Sequence, residues 1–168
     1  MYFGGNHFLM QYALTLMALE RFEEAVVALN VSVNANEMAL FLASSILINQ
    51  LGNVRLFTLP LQSQPPFTPL FPSLQRTQFV EGFQIAERAL EFEGGFMKSR
   101  LHQLVGLGYN RMAQKAWDLE TRMDLNNKSL DSLKKALALD PQNNETLYLL
   151  GMQYADMREA SIFLQESQ

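Results

Sequence analysis

Residues 133–154, LKKALALDPQNNETLYLLGMQY, decide how the chain reads. Leu133, Ala136 and Leu137 recur at helical spacing and mark an apolar face. Asp140-Pro141 ends that helix, because proline lacks an N–H donor and restricts the residue before it. Asn143 or Asn144 is placed to cap the next helix by accepting a bond from a free backbone N–H. Leu147, Leu150, Gly151 and Tyr154 then fall on one face of that second helix. The stretch is the end of one helix, a turn, and the start of another.

Such a junction resembles the boundary between two tetratricopeptide repeats (TPRs). These are helix-turn-helix pairs of about 34 residues with small residues where helices touch. Leu133, Ala136, Leu137 and Pro141 match the end of a second helix, and Leu147, Leu150, Gly151 and Tyr154 match the first helix of the following repeat. The resemblance implies an all-α fold, a TPR-like α-solenoid of antiparallel helix pairs. It is expected to run as one unit over residues 1–168, with three degenerate repeats plus a partial fourth.

Working outward, Leu9, Tyr12, Ala13 and Leu16 match a first helix, and Ala25, Leu29 and Ser32 a second, after a turn near Glu20-Arg21. A second repeat opens at Met38, with Leu42, Ala43 and Ile46 on its buried face and Asn36 as its cap. Its partner helix carries Gly82, Ile85, Ala86, Ala89 and Leu90. That helix stops at Gly94-Gly95, where a left-handed residue is needed. A third repeat starts near Phe96, with Val105, Gly106 and Tyr109 inside and Ser129, Leu133 and Ala136 on its second helix. The repeats therefore fall at 6–36, 37–95, 96–141 and, in part, 144–168.

Equivalent positions test this register. Ala13 to Ala43 spans 30 residues, Ala43 to Gly106 spans 63, and Gly106 to Gly151 spans 45. Both longer intervals place extra residues between helices of one pair, where repeat proteins accept insertions. The first insertion, 53–78, holds Pro60, Pro65, Pro66, Pro69 and Pro72, shows no helical period, and is expected to be a mobile surface loop. Its Pro66-Phe67-Thr68-Pro69 has the spacing of a proline-rich ligand without the flanking basic residue. The second, 115–126, lacks Pro and Gly and is expected to lengthen the first helix of the third repeat, with Trp117 packed against a neighbour. Only six residues separate Tyr154 from Ala160, where a repeat has nine. The last pair is therefore expected to be malformed or fused into one helix.

Composition sets further bounds. The 168 residues are 48% hydrophobic with a net charge of −4, enough apolar material for a core. No cysteine is present, which excludes disulfides, thiolate nucleophiles and cysteine zinc sites. Residues 8–19, FLMQYALTLMAL, are apolar, but nothing basic precedes them and no small-x-small cleavage site follows. They are also too short to span a bilayer and are expected to form a globular helix. The lead of only MYFGG before the first repeat suggests a piece of a longer protein.

Charge is uneven. From Lys98 to Lys135, eight basic residues face four acidic ones, net +4, leaving the remainder at −8. Arg111, Lys115 and Arg122, spaced by four and seven, are expected to share one helical face, a candidate basic face for an acidic partner or an anionic membrane leaflet. Nucleic acid does not fit an acidic chain without an aromatic-interleaved basic motif.

Reactive constellations are absent from the sequence. His7 and His102 each stand alone, without the spacing of metal ligands. Gly106-Leu107-Gly108 lacks the third glycine or the Gly-Lys-Ser/Thr of a phosphate loop. Glu87, Glu91 and Glu93 make a solvated acidic strip. Asn30, Asn127 and Asn144 match glycosylation sequons without a secretory signal. No catalytic residue, cofactor or metal is expected.

A narrower resemblance rests on Asn6-His7-Phe8, on residues 11–18 (QYALTLMA), on Val105-Gly106-Leu107 with Tyr109, and on residues 136–141 (ALALDP). These residues resemble the tetratricopeptide repeat protein 7 family over about 6–52 and 79–160. The resemblance implies a non-catalytic scaffold that brings a phosphatidylinositol 4-kinase to the plasma membrane, with a membrane-anchored partner and a hyccin-like partner. It implies a cytoplasmic protein with at most peripheral membrane contact. The alternative is a generic TPR module binding a peptide, or calmodulin, as in plant pollen-germination relatives. Carried over from the repeat pattern, the groove would expose His7, Met10, Met17, Leu40, Arg100, Gln103, Asn110, Arg111, Glu145, Tyr148 and Met152.

Overall fold

Seven α-helices in succession make up the chain as described by a computed structural model over residues 4–30, 36–51, 70–92 and 94–166. Every regular element among these residues is helical: α1 (Gly4–Ala18), α2 (Phe22–Asn30), α3 (Glu37–Ile46), α4 (Leu70–Leu90), α5 (Lys98–Lys115), α6 (Leu119–Leu139) and α7 (Asn144–Glu166). The chain divides into two compact units, Met1–Glu91 and Phe92–Gln168.

The helix ends follow from local chemistry. After α1, the N–H of Arg21 bonds the Leu16 carbonyl at 2.9 Å and that of Glu20 bonds the Met17 carbonyl at 3.0 Å. This pairing is a Schellman motif, and it puts Glu20 in the left-handed region, φ 58°. Asn36 caps α3: its Oδ1 accepts the Ala39 N–H at 2.8 Å. Asn143, rather than Asn144, caps α7, accepting the Thr146 N–H at 3.1 Å. Gly94 takes φ +65°, as the break after α4 requires.

In the first unit α1 packs on α2 and α2 on α3, and Ala13, Leu16, Ala25, Val26, Leu29, Ala39, Leu40, Ala43 and Ile46 are buried. α3 runs on into a π-helical turn, Leu47–Leu51, whose Leu47 and Ile48 are buried. Ile48 lies against Gly82 of α4, at the point where a Cβ on Gly82 would stand 2.9 Å from Ile48 Cγ1. Ser44 Oγ donates to the Gly82 carbonyl at 2.7 Å. Phe79 and Phe83 of α4 stack with centroids 6.4 Å apart. Arg88 of α4 donates to Asn30 Oδ1 of α2 at 2.8 Å.

In the second unit, hydrogen bonds fix the register. Ser99 Oγ donates to the Ala136 carbonyl at 3.0 Å, and Ser129 Oγ donates to the Gly106 carbonyl at 2.7 Å. Seven residues forward on α5 correspond to seven back on α6, so these two helices are antiparallel. Gln103 Oε1 accepts the Thr146 hydroxyl at 3.3 Å, and Asn110 donates to Gln153 Oε1 at 2.8 Å. Here seven residues forward on α5 match seven forward on α7, so α5 and α7 are parallel.

Several expectations need correction. The insertion 53–78 is not structureless throughout: residues 70–78 belong to α4, and Pro72 falls in its first turn, where a missing N–H costs no helical bond. Pro60, Pro65, Pro66 and Pro69, and Ser32 of the first repeat, lie outside the described residues. Residues 115–126 lengthen the second helix, not the first. α5 ends at Lys115, and Asp118 starts α6 by accepting the Thr121 N–H at 2.7 Å. Trp117 sits in that break 98% exposed, not packed against a neighbouring helix among the described residues. The buried side of α7 is Thr146, Leu150 and Gln153, so Leu147, Gly151 and Tyr154 face outward. The residues after Tyr154 do continue as one helix to Glu166.

Candidate functional site

Most of the candidates read from the sequence fall in the second unit. Its interior is bound together by amides. Gln103 Oε1 also takes a long bond from Asn143 Nδ2 at 3.5 Å. Asn110 Nδ2 reaches Asp156 Oδ2 at 2.9 Å as well as Gln153, and Asn110 Oδ1 accepts from Gln114 at 3.1 Å. Gln153 then donates to Asn126 Oδ1 of α6 at 2.9 Å. Gln153, Thr146 and Asn126 are all buried, and no buried side-chain nitrogen or oxygen among the described residues lacks a partner. Polar groups removed from water must be paired in this way, and here the pairing ties three helices into one register.

This network divides the sequence candidates. Gln103 and Asn110 are committed to α7 and form part of the α5–α7 contact. Arg100, Glu145, Tyr148 (67% exposed) and Met152 (40%) are open to solvent. Arg111 is half-buried. In the first unit, Leu40 is buried core and not a groove residue, while Met10 and Met17 are half-buried. The side chain of His7 lies outside the described residues.

The basic residues do not share one helical face, because the break at 116–118 interrupts the helix that would have aligned them. Arg111 and Lys115 lie on the last turns of α5, and Arg122 lies in the first turns of α6. The turn brings them to the same end of the helical hairpin: Arg122 Nη2 donates to the Ala116 carbonyl at 3.4 Å. Partial burial lowers the Arg111 guanidinium below its ordinary range. Burial, and then the charge of Arg111, does the same to the Lys115 ammonium. The two cations are therefore near enough to repel one another.

His102 stands further back on α5. Burial and the charges of Lys135 and Lys98 push its imidazole below the usual value. Among the described residues, no cluster of three or more His, Asp or Glu could hold a metal, and no helix is long and apolar enough to cross a membrane.

The sequence placed Tyr148 and Met152 on an open face of α7, but not Leu147 and Tyr154, and it did not anticipate the bare tip of the hairpin. Leu147, Tyr148, Met152, Tyr154 and Ile162 are all 40% or more exposed on α7. A signal was present: Gln103 with Asn110, and Thr146 with Gln153, are polar pairs seven apart, the spacing of an internal ladder. That ladder would have turned the apolar residues of α7 outward.

In comparisons with known proteins, the sequence matches no family model and no curated protein, and the fold matches no solved structure.

Proposed function

We infer that this chain is a non-catalytic helical scaffold of the TPR-like solenoid kind, built to hold protein partners. In its finer form the reading is an adaptor resembling the one that recruits a phosphatidylinositol 4-kinase to the plasma membrane, with a membrane-anchored subunit and a hyccin-like subunit. What supports the scaffold reading is the parallel register of α5 and α7 across an antiparallel α6. That order of helices is how stacked pairs bury a face that neither can bury alone. It leaves Arg100, Glu145, Tyr148 and Met152 exposed.

The test is affinity capture from cells with the tagged chain and with a Tyr148→Glu, Met152→Glu variant. A phosphatidylinositol 4-kinase recovered with the parent and lost with the variant is the expected result. Calcium-dependent capture of calmodulin in its place would favour the generic peptide-binding module. Retention of the kinase by the variant would remove α7 from the interface.

A further inference from the structure

Two lysines meet across the α5–α6 hairpin, at the end where α5 begins and α6 finishes. The Ser99 hydroxyl bonds the Ala136 carbonyl, which sets Lys98 and Lys135 at one level on the two helices. His102, one turn after Lys98, is half-buried beside them. The charges that act on its imidazole are those of Lys135 and Lys98, with no carboxylate among them. Lys134 adds another exposed ammonium at the same level. The carboxylates described toward this end of the unit are Asp131, Asp140 and Glu145. None of them forms an ion pair with these lysines among the described residues. Like charges held side by side favour an incoming anion.

Apolar side chains flank the cations. Leu139, one turn after Lys135, is 54% exposed, and Phe96, just ahead of α5, is 74% exposed. The bonds of α7 lie on the other side of the hairpin, at Gln103, Asn110 and Asn126. Ser99 and Gly106 mark the line of α5 that faces α6. At about 100° per residue, Lys98 and His102 fall to one side of that line and Gln103 to the other.

We propose that this end of the hairpin docks an acidic protein segment, whose carboxylates pair with Lys98 and Lys135 while an adjacent apolar side chain lies against Leu139 and Phe96. An inorganic anion would leave the two apolar side chains uncovered. A flat bilayer would meet Lys135 but not an imidazole half-buried between two helices, which a single extended chain can reach. The contact does not depend on the α7 surface or on the kinase-adaptor reading.

His102 reports the event directly. The full chain is titrated with a synthetic peptide of glutamates around one leucine, and the imidazole proton resonances are followed by NMR, assigned with His102→Gln. The expected result is that the His102 resonance moves and its titration midpoint rises, because the peptide carboxylates offset the charges of Lys98 and Lys135. Lys98→Gln weakens binding up to about fivefold, the scale of one exposed charge pair, and the reversal Lys135→Glu weakens it about tenfold. Replacing the peptide leucine by glycine also costs about tenfold. A His102 resonance that the peptide leaves unmoved overturns the proposal, as does equal binding by Lys135→Glu. Binding indifferent to the leucine overturns it too, and reduces the site to a general anion contact. Movement of the resonance by phosphatidylserine vesicles but not by the peptide overturns it and assigns the face to a membrane.

Discussion

The hydroxyl of Ser129 donates to the carbonyl of Gly106 at 2.7 Å, where α5 and α6 pack too closely for a side chain on that glycine. Leu133, one turn beyond Ser129, occupies the space that a side chain on Gly106 would need. The first unit repeats the device with Ser44, Gly82 and Ile48. In both, a small residue brings two helix backbones together, a serine satisfies the exposed carbonyl, and an aliphatic residue four positions on closes the contact.

Two helical glycines of the second unit, Gly106 and Gly151, should respond in opposite directions. A Cβ on Gly106 would stand 2.7 Å from Leu133 Cγ and 3.2 Å from the backbone oxygen of Ser129. Gly106→Leu should therefore cost about 1–3 kcal/mol by overpacking. Nothing lies within 4 Å of a Cβ on Gly151, so Gly151→Ala should gain about 1 kcal/mol from helix propensity. Urea denaturation of both variants decides it. A destabilising Gly151→Ala would mean that α7 is covered.

Gln153 is the centre of the amide network, and its loss should be costly. Gln153→Leu leaves Asn126 Oδ1 buried without its donor and takes one acceptor from Asn110. A cost of about 1–3 kcal/mol is expected, with faster amide exchange along α7. An unchanged denaturation midpoint would mean that these bonds do not hold the helix in register.

Glu20 adopts a left-handed conformation that favours glycine, at the C-terminal cap of α1. Glu20→Gly should raise stability by about 0.5–1 kcal/mol, and Glu20→Val should lower it. Calorimetry of the two variants is the check, and a lower melting temperature for the glycine variant would refute the cap geometry.

His102 makes the fold sensitive to mild acid. Its imidazole titrates below the ordinary value in the folded chain, through burial first and then Lys135 and Lys98. Between the unfolded value near 6.5 and the lower folded one, the unfolded chain binds more protons, so stability falls as pH falls. The contribution is complete above the unfolded value. His102→Gln should flatten that loss, read as thermal stability against pH. Equal slopes in parent and variant would disprove the assignment.

Much of the secondary structure was legible in residue order because its causes are local. The Asn36 and Asn143 caps, the stop at Asp140-Pro141, the turn at Glu20-Arg21 and the left-handed Gly94 each depend on a few neighbouring residues. The burial of Leu133 and Ala136 followed from helical period.

The errors arose where two local rules competed or where distant helices arbitrated. The break at 116–118 required Asp118 to act as a cap rather than as a helical residue, a choice that helix propensity and pattern could not separate. The register of α7 was set by Asn110 and Asn126, 43 and 27 residues from Gln153 in sequence. A helix with apolar residues on two sides can bury either one. The polar partners waiting on α5 and α6 decided which, burying Thr146 and Gln153 and turning Leu147 and Tyr154 outward.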